Sequence, residues 1–319
     1  MIKRRDIITY FDVNFLPRGM ALLDSLEKNC DDFTLYILAL DDEVVKYFKQ
    51  LGKKNIQIIT LEDYSLYFSI DKSKYKNKKE FYFSLTPAIC LYVMRNYKDV
   101  DLLVYLDADV YLFNSIEILY AEIGNASIAM CSHRLPWYIN LVSKNYGIYN
   151  VGVNAFRNDK EGIKCLEQWH EDCTTWTTNQ VGYSLSFFSD QIWLDKWPKK
   201  YKNIKIIDHI GINVAPWNAI QYKYSEQNGN FFVNDKPLVI YHFSSLKEIE
   251  KDTWHGNTSF TIINITGYLE EIYKKYISNI KKYDLKKEND IVSIKFTGSS
   301  IKMIAYKVLS QLHNHIIKI

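Results

Sequence analysis

Asp107 and Asp109 stand one residue apart at the end of the apolar run 102–106, Leu-Leu-Val-Tyr-Leu. Side chains two apart on an extended chain point to one side, so this spacing sets two anions together at a strand terminus. Like charges beside apolar surface are tolerated only if a cation joins them, and the pair therefore predicts a metal site. Strand-end carboxylates are also where open α/β sheets place their chemistry. A bare D-x-D arises by chance in a chain with 37 acidic residues, so the weight rests on the apolar strand before it. Two solvated turn aspartates remain the other description of the same residues.

The elements around the pair follow from hydrophobic periodicity. Short β-rich runs at 7–11, 34–40 and 56–60 alternate with helical patterns at 18–29 and 43–51, which predicts β-α-β units and a parallel, doubly wound sheet. A helix over 81–96, with Pro87 near its first turns, feeds the strand at 102–106. Further strands are expected at 128–130, 151–156, 204–207 and 238–243, whereas 169–188 shows no clear period. From residue 267 the pattern turns helical, first at 268–283 and then from 300 to the end. The expected division is 1–266 for the main domain and 267–319 for a helical extension. The last helix is amphipathic, with Ile301, Ile304, Val308, Leu312, Ile316 and Ile319 on one face. Docking on the core or on a second copy, and peripheral contact with an anionic membrane, both fit that face.

Composition narrows the class. With 319 residues, 47% of them hydrophobic, the chain can bury one large α/β core with an appendage. A balance of 40 basic against 37 acidic residues gives no reason to invoke nucleic acid. The lysine cluster at 72–79 is expected to be a solvated loop, with phosphate or membrane contact as its alternative. Cys30, Cys90, Cys131, Cys165 and Cys173 are odd in number and lack a C-x-x-C, which points to a reduced, cytoplasmic protein. Asp6, Asp12 and Asn14 interrupt any signal-peptide core, and no stretch reaches membrane-spanning length. The absence of G-x-G-x-x-G and of a Walker lysine argues against dinucleotide and P-loop chemistry.

Several segments, in this order, carry a family resemblance: Thr9-Tyr-Phe-Asp-Val-Asn-Phe-Leu-Pro-Arg-Gly, Tyr105-Leu-Asp-Ala-Asp-Val-Tyr, Tyr149-Asn-Val-Gly-Val-Asn-Ala-Phe-Arg, Ser189-Asp-Gln, Ala215-Pro-Trp-Asn and Tyr241-His-Phe. They resemble bacterial nucleotide-diphospho-sugar transferases related to glycosyltransferase family 8, the group of glycogenin and the lipooligosaccharide galactosyltransferases. The match runs from about residue 6 to about residue 281. It implies a GT-A fold, an α/β, Rossmann-like doubly wound mixed sheet with a C-terminal helical appendage. It also implies a nucleotide-sugar donor, Mn²⁺ or Mg²⁺, and a glycan or glycolipid acceptor in bacterial surface polysaccharide assembly. Hexosyl transfer with retention of configuration belongs to the same implication.

By the resemblance, His242 completes a metal site with Asp107 and Asp109, although a histidine after an apolar strand can equally be structural. Carboxylate and imidazole together suit Mn²⁺ better than Mg²⁺. Thr9, Tyr10, Asp12, Asn14 and Phe15 at the end of the opening strand, with Asp107, Ala108 and Lys247, are the implied nucleotide contacts. Asp12 and Asn14 can instead cap the helix after Pro17. Asn150 and Gly152 match an Asn-x-Gly strand facing the sugar, the glycine letting backbone approach the ligand. Asp190 and Gln191 match the family's Asp-Gln pair and are the implied catalytic residues, with an N-cap as the plain alternative for Asp190. Trp217 and Asn218 resemble a donor or acceptor loop, where an indole can stack on a sugar face.

The chain also departs from the pattern. A basic residue early in the helix before D-x-D is missing, Arg95 lying only near its end, and a Lys-Pro-Trp after the late histidine reduces to Lys247. Arg18 is the residue that can supply the lost charge. A D-x-D phosphohydrolase fits poorly, since Tyr111 stands where Thr or Val is required. A non-catalytic nucleotide-sugar-binding protein on the same fold remains the stronger rival.

Overall fold

The structure is a computed structural model that describes residues 4–70, 78–140, 147–179, 190–256, 263–283 and 316–319. Strand and helix alternate through β1 (Arg5–Phe11), α1 (Leu16–Asn29), β2 (Phe33–Ala39), α2 (Asp42–Leu51), β3 (Ile56–Ile59), α3 (Leu61–Ser65), α4 (Lys78–Asn96) and β4 (Leu102–Leu106). The chain continues through β5 (Val110–Leu112), α5 (Glu117–Ile123), β6 (Ile128–Ser132), α6 (Trp137–Asn140), β7 (Tyr149–Arg157), α7 (Lys160–Asn179), α8 (Trp197–Lys200) and β8 (Ile204–Ile207). Short strands β9 (Tyr224–Gln227), β10 (Asn230–Val233), β11 (Lys236–Pro237), β12 (Ile240–His242), β13 (Lys247–Glu250) and β14 (Thr253–His255) follow, then α9 (Gly267–Lys281) and β15 (Ile316–Lys318).

The main sheet has the order β3-β2-β1-β4-β7-β6-β8. Alternate side chains of its central strands feed two cores, as the pleat requires. Ile7, Leu102, Val104 and Leu106 pack under α1, α2 and α5, whereas Ile8, Leu103 and Tyr105 pack under α4 and α7. Strands β3, β2, β1 and β4 run parallel, but β7 is antiparallel to both β4 and β6. The sheet is therefore mixed, as the resemblance implied and the β-α-β grammar alone did not. Eight of the nine residues of β7 are buried, so no apolar–polar alternation marks that strand in the sequence.

A second layer carries the late strands. β12 pairs antiparallel with β5, the strand that follows the two aspartates, in the register Ile240↔Leu112, Tyr241↔Tyr111, His242↔Val110. α9 covers this pair, with Tyr276 stacked on Phe243 at 3.9 Å and Tyr273 hydrogen-bonded to Tyr241 at 3.0 Å. β13, β14 and β15 form a small sheet beside it, in which Ile317 is fully buried.

Three expectations change. α4 begins at Lys78, so Pro87 lies inside the helix, where it cannot donate to the preceding turn. α7 covers most of the stretch that lacked a clear period. Residues 316–318 are strand, not the end of a helix, because they pair with Thr253–His255. The side chains of the lysine cluster at 72–79, and residues 300–315 of the expected last helix, lie outside the described residues. No described helix is long and apolar enough to cross a membrane.

Ile317→Ala should lower unfolding free energy by about 2 to 5 kcal/mol, as for other buried isoleucines cut to alanine. Denaturant titration measures this directly, and a loss below about 0.5 kcal/mol, typical of surface sites, would show that the strand is not part of the packed core.

Candidate functional site

β4 delivers the two aspartates to its carboxyl end. Asp107 leaves the strand with its N–H bonded to the Gly152 carbonyl at 3.0 Å, and its Oδ1 accepts the Tyr105 hydroxyl at 2.6 Å. Asp109 ends the turn into β5, so the register of β12 brings His242 alongside it. His242 Nε2 lies 3.1 Å from Asp109 Oδ1 and 3.5 Å from Asp107 Oδ2. One ligand atom from each of the three residues falls within 4.8 Å of the others. Side-chain exposure rises from 5% at His242 through 14% at Asp109 to 31% at Asp107, which makes a socket open on the Asp107 side.

Charge compensation differs across the trio. Burial and the neighbouring Asp109 raise the Asp107 carboxyl despite the pull of His242. Burial acts the same way on Asp109, but His242, with help from Arg18, outweighs it and holds that carboxyl below its usual range. Burial opposes protonation of His242, and Asp109 and then Asp107 overcome it and raise the imidazole. Two carboxylates converging on one imidazole form a donor set of oxygen and nitrogen that suits a divalent cation of the Mn²⁺ type. The cation that reaches the trio from α1 is Arg18, whose guanidinium also donates to the Leu246 carbonyl at 2.8 Å and lies over the Phe15 ring.

The His242 ring is held by its surroundings. A Cβ on Gly152 would clash with His242 Nδ1, so this glycine makes room for the histidine. On its other side the Trp217 ring packs edge to face against His242 at 5.2 Å and against His133 at 5.5 Å. Asn218 uses its amide inside the loop, accepting from Ala215 N and donating to the carbonyls of His133 and Asn213.

Asp190 and Gln191 are buried at the start of a 3₁₀ segment, Gln191–Lys196, and the Asp190 side chain makes no capping hydrogen bond to it. Burial, then the charge of Asp107, pushes the Asp190 carboxyl up to about 8, which places it in the same electrostatic neighbourhood as the trio. Thr9 is fully buried, main chain included. The Tyr10 hydroxyl donates to the Tyr82 carbonyl at 2.9 Å while its ring leans on Tyr105. Asp12 accepts from Asn14 N at 3.1 Å, as a cap does, and also from the Tyr82 hydroxyl. Asp41 fixes the turn by accepting from Val13 N at 2.7 Å while capping α2. Asn14 and Phe15 are exposed, Ala108 is buried between the aspartates, and Lys247 is exposed on β13.

Tyr105, Tyr82 and His133 were not among the expected site residues. Tyr105 was legible, being two residues before Asp107 on the same side of the strand. Tyr82 and His133 had no comparable sign, since their roles depend on pairings far along the chain. A cavity of about 630 Å³ opens at the other end of the sheet, but its arginines are already paired: Arg4 with Asp6 and Asp99, Arg5 with Glu117, and Arg157 with Asp101.

The fold and this site define a class, and comparison with known proteins agrees. The galactosyltransferase LgtC, solved in complex with donor and acceptor sugar analogs, superposes with a TM-score of 0.53 over 89% of this chain and 98% of its own at 13% identity. An active-site mutant of LgtC gives 0.54 over the same shares at 14% identity. Mouse xyloside xylosyltransferase 1, in its apo form, gives 0.50 over 76% of this chain and 98% of its own at 14% identity. The chain thus has the GT-A fold of these glycosyltransferases. In sequence it is similar to two uncharacterized proteins of Bacillus subtilis (strain 168). YfnD is 26% identical over 83% of this chain and 85% of its own, and YfnF 24% identical over 83% and 89%. No family model matches.

Two outcomes follow from the geometry. Gly152→Ala should displace the His242 ring and weaken Mn²⁺ binding at least ~10-fold by calorimetry, and unchanged affinity would separate the glycine from the site. Asp190 binds its proton more tightly folded than unfolded, so its contribution to stability is complete below the ordinary aspartate value of 3.8 and is lost as pH rises towards about 8. Metal-free Asp190→Asn should therefore gain stability over the parent across that interval, by at least ~1.4 kcal/mol, the equivalent of one pKa unit. A difference independent of pH would place the carboxyl in a wetter setting.

Proposed function

We propose that this protein is a metal-dependent glycosyltransferase that moves a sugar from a nucleotide-diphosphate donor, a UDP-sugar, to a glycan or glycolipid acceptor. The observation that carries this is the convergence of Asp107, Asp109 and His242 at the carboxyl end of a GT-A sheet. Transfer breaks the bond between the anomeric carbon and the diphosphate oxygen and forms one to an acceptor oxygen. A divalent cation held by the three residues would offset the negative charge that grows on the departing diphosphate.

The remaining residues have roles that suit this chemistry. The resemblance assigns the nucleotide to the end of β1, with Thr9, the Tyr10 ring, Asp12, Asn14 and Phe15, beside Asp107 and Ala108, and Arg18 adds positive charge near Asp109. Asp190 and Gln191 are assigned to the donor sugar, as is Asn150 on the resemblance alone, and the Trp217 indole offers an apolar face near it. Retention of configuration requires the acceptor to attack from the leaving-group side, where the departing phosphate oxygen takes its proton. Asp190 then holds the sugar and stabilises the positive centre instead of acting as a base. Lys247 is assigned to the diphosphate on the resemblance alone, as is the setting in bacterial surface polysaccharide assembly.

The test is a panel of nucleotide sugars, with and without Mn²⁺, read by thermal shift and by release of nucleoside diphosphate. Asp107→Ala and Asp109→Ala should each reduce turnover at least ~100-fold, since removing a donor that stabilises growing charge costs about that much. Their metal-free stability should hold or rise, because one of two clustered anions is gone. Metal-independent turnover, or full activity in either variant, would end the proposal, and donor binding without any turnover would favour the binding-protein alternative.

A further inference from the structure

His133 follows β6 at the carboxyl end of the sheet and is buried. Its Nδ1 lies 3.1 Å from the Gly147 carbonyl oxygen, which can only accept, so Nδ1 carries the proton. Nε2 is then the acceptor, and the group facing it at 3.4 Å is Asn150 Nδ2, a donor. The orientation of the Asn150 amide is thereby fixed, and its Oδ1 accepts the Gly152 N–H at 3.0 Å. Gly152 is the residue whose Cα abuts His242. A second route runs through aromatic contact, from the His133 ring to Trp217 and from Trp217 to His242. The His133 carbonyl also accepts from Asn218, the residue that ties the Trp217 loop together.

We propose that His133 is a positioning residue for the metal site: its ring sets the amide of Asn150 and, through Gly152 on one side and Trp217 on the other, the ring of His242. Burial pushes the His133 imidazole down to about 4, so its Nε2 lone pair is available at neutral pH. Metal-binding histidines usually have their second nitrogen oriented by a carboxylate or carbonyl. His242 Nδ1 has no hydrogen-bond partner among the described residues. Steric and aromatic walls do the orienting here, and His133 anchors both walls.

The inference rests on the metal site proposed above, and its test keeps the two apart. His133→Phe preserves a ring against Trp217 and removes both nitrogens. Mn²⁺ affinity, followed by the electron paramagnetic resonance of free Mn²⁺, should fall ~10-fold or more. In the metal-free protein, the ¹⁵N resonances of the His242 ring should shift. Asn150→Ala should give a similar loss, and the double variant no further one, because both changes cut the same polar route. If His133→Phe does not fold, His133→Gln, whose amide can still accept from Asn150, should hold the His242 resonances and the affinity near those of the parent while Asn150→Ala moves both. Parent-like His242 resonances in folded His133→Phe, losses that multiply in the double variant, or a parent-like Asn150→Ala would overturn the assignment. A parent that binds no Mn²⁺, yet whose His242 resonances shift in His133→Phe, would end the metal-site proposal and leave the positioning role standing.

Discussion

Two carboxylates at the end of a buried strand repel one another, and the molecule gathers positive charge around them. The repulsion cannot be relieved by distance, because Asp107 and Asp109 are one residue apart and both are fixed by backbone pairing, Asp107 to Gly152 and the Asp109 carbonyl to Phe243 N. Water reaches the pair mainly from the Asp107 side, and Asp109 is the more enclosed of the two. What remains is compensation. His242 supplies it most directly, Arg18 adds to it from α1, and the uneven outcome leaves Asp109 ionised more readily than Asp107. Such a pair suits a divalent ion, which would offset the repulsion that His242 and Arg18 offset only in part.

Holding His242 in place requires a layer of its own. Among the described residues β12 has one partner strand, β5, besides a bridge from Val214 to Tyr241, and a pair of such short strands has little stability alone. The aromatic side of the layer makes up the difference. Tyr241, Phe243, Tyr273 and Tyr276 pack ring against ring under α9, and Asn279 reaches the Tyr111 hydroxyl across the same interface at 2.9 Å. α9 therefore contributes to the site by fixing the strand that ends in the histidine.

The sequence was most legible where local pattern and function coincide. The apolar run before Asp107, the alternation of strands and helices up to β4, and the motif order all carried over to the fold. Strand direction was less so: β7 is buried on both faces, and nothing in its residues distinguishes a crossover from a hairpin-like return. α7 was obscured because its buried face mixes Cys165, Leu166, Trp169 and Cys173 with polar neighbours, and Thr-rich turns near its end weaken any periodic signal. Within the site, Asp107, Asp109 and His242 were named as a unit and are found as one. That Gly152 also makes room for His242 was not legible, since it depends on the β12 register. His133 was passed over because its importance lies in a tautomer fixed by Gly147 and read by Asn150, a relation with no imprint on spacing.

The small sheet of β13, β14 and β15 also bears on how the chain is made. Every strand of the main sheet lies within residues 5–207, so that sheet can form while later residues are still being synthesised. β14, by contrast, has Trp254 paired with Ile317, and this edge stays unpaired until residues 316–318 have left the ribosome. During that interval β14, with Trp254, presents an open edge of unpaired backbone groups, the kind of edge that templates pairing with another chain.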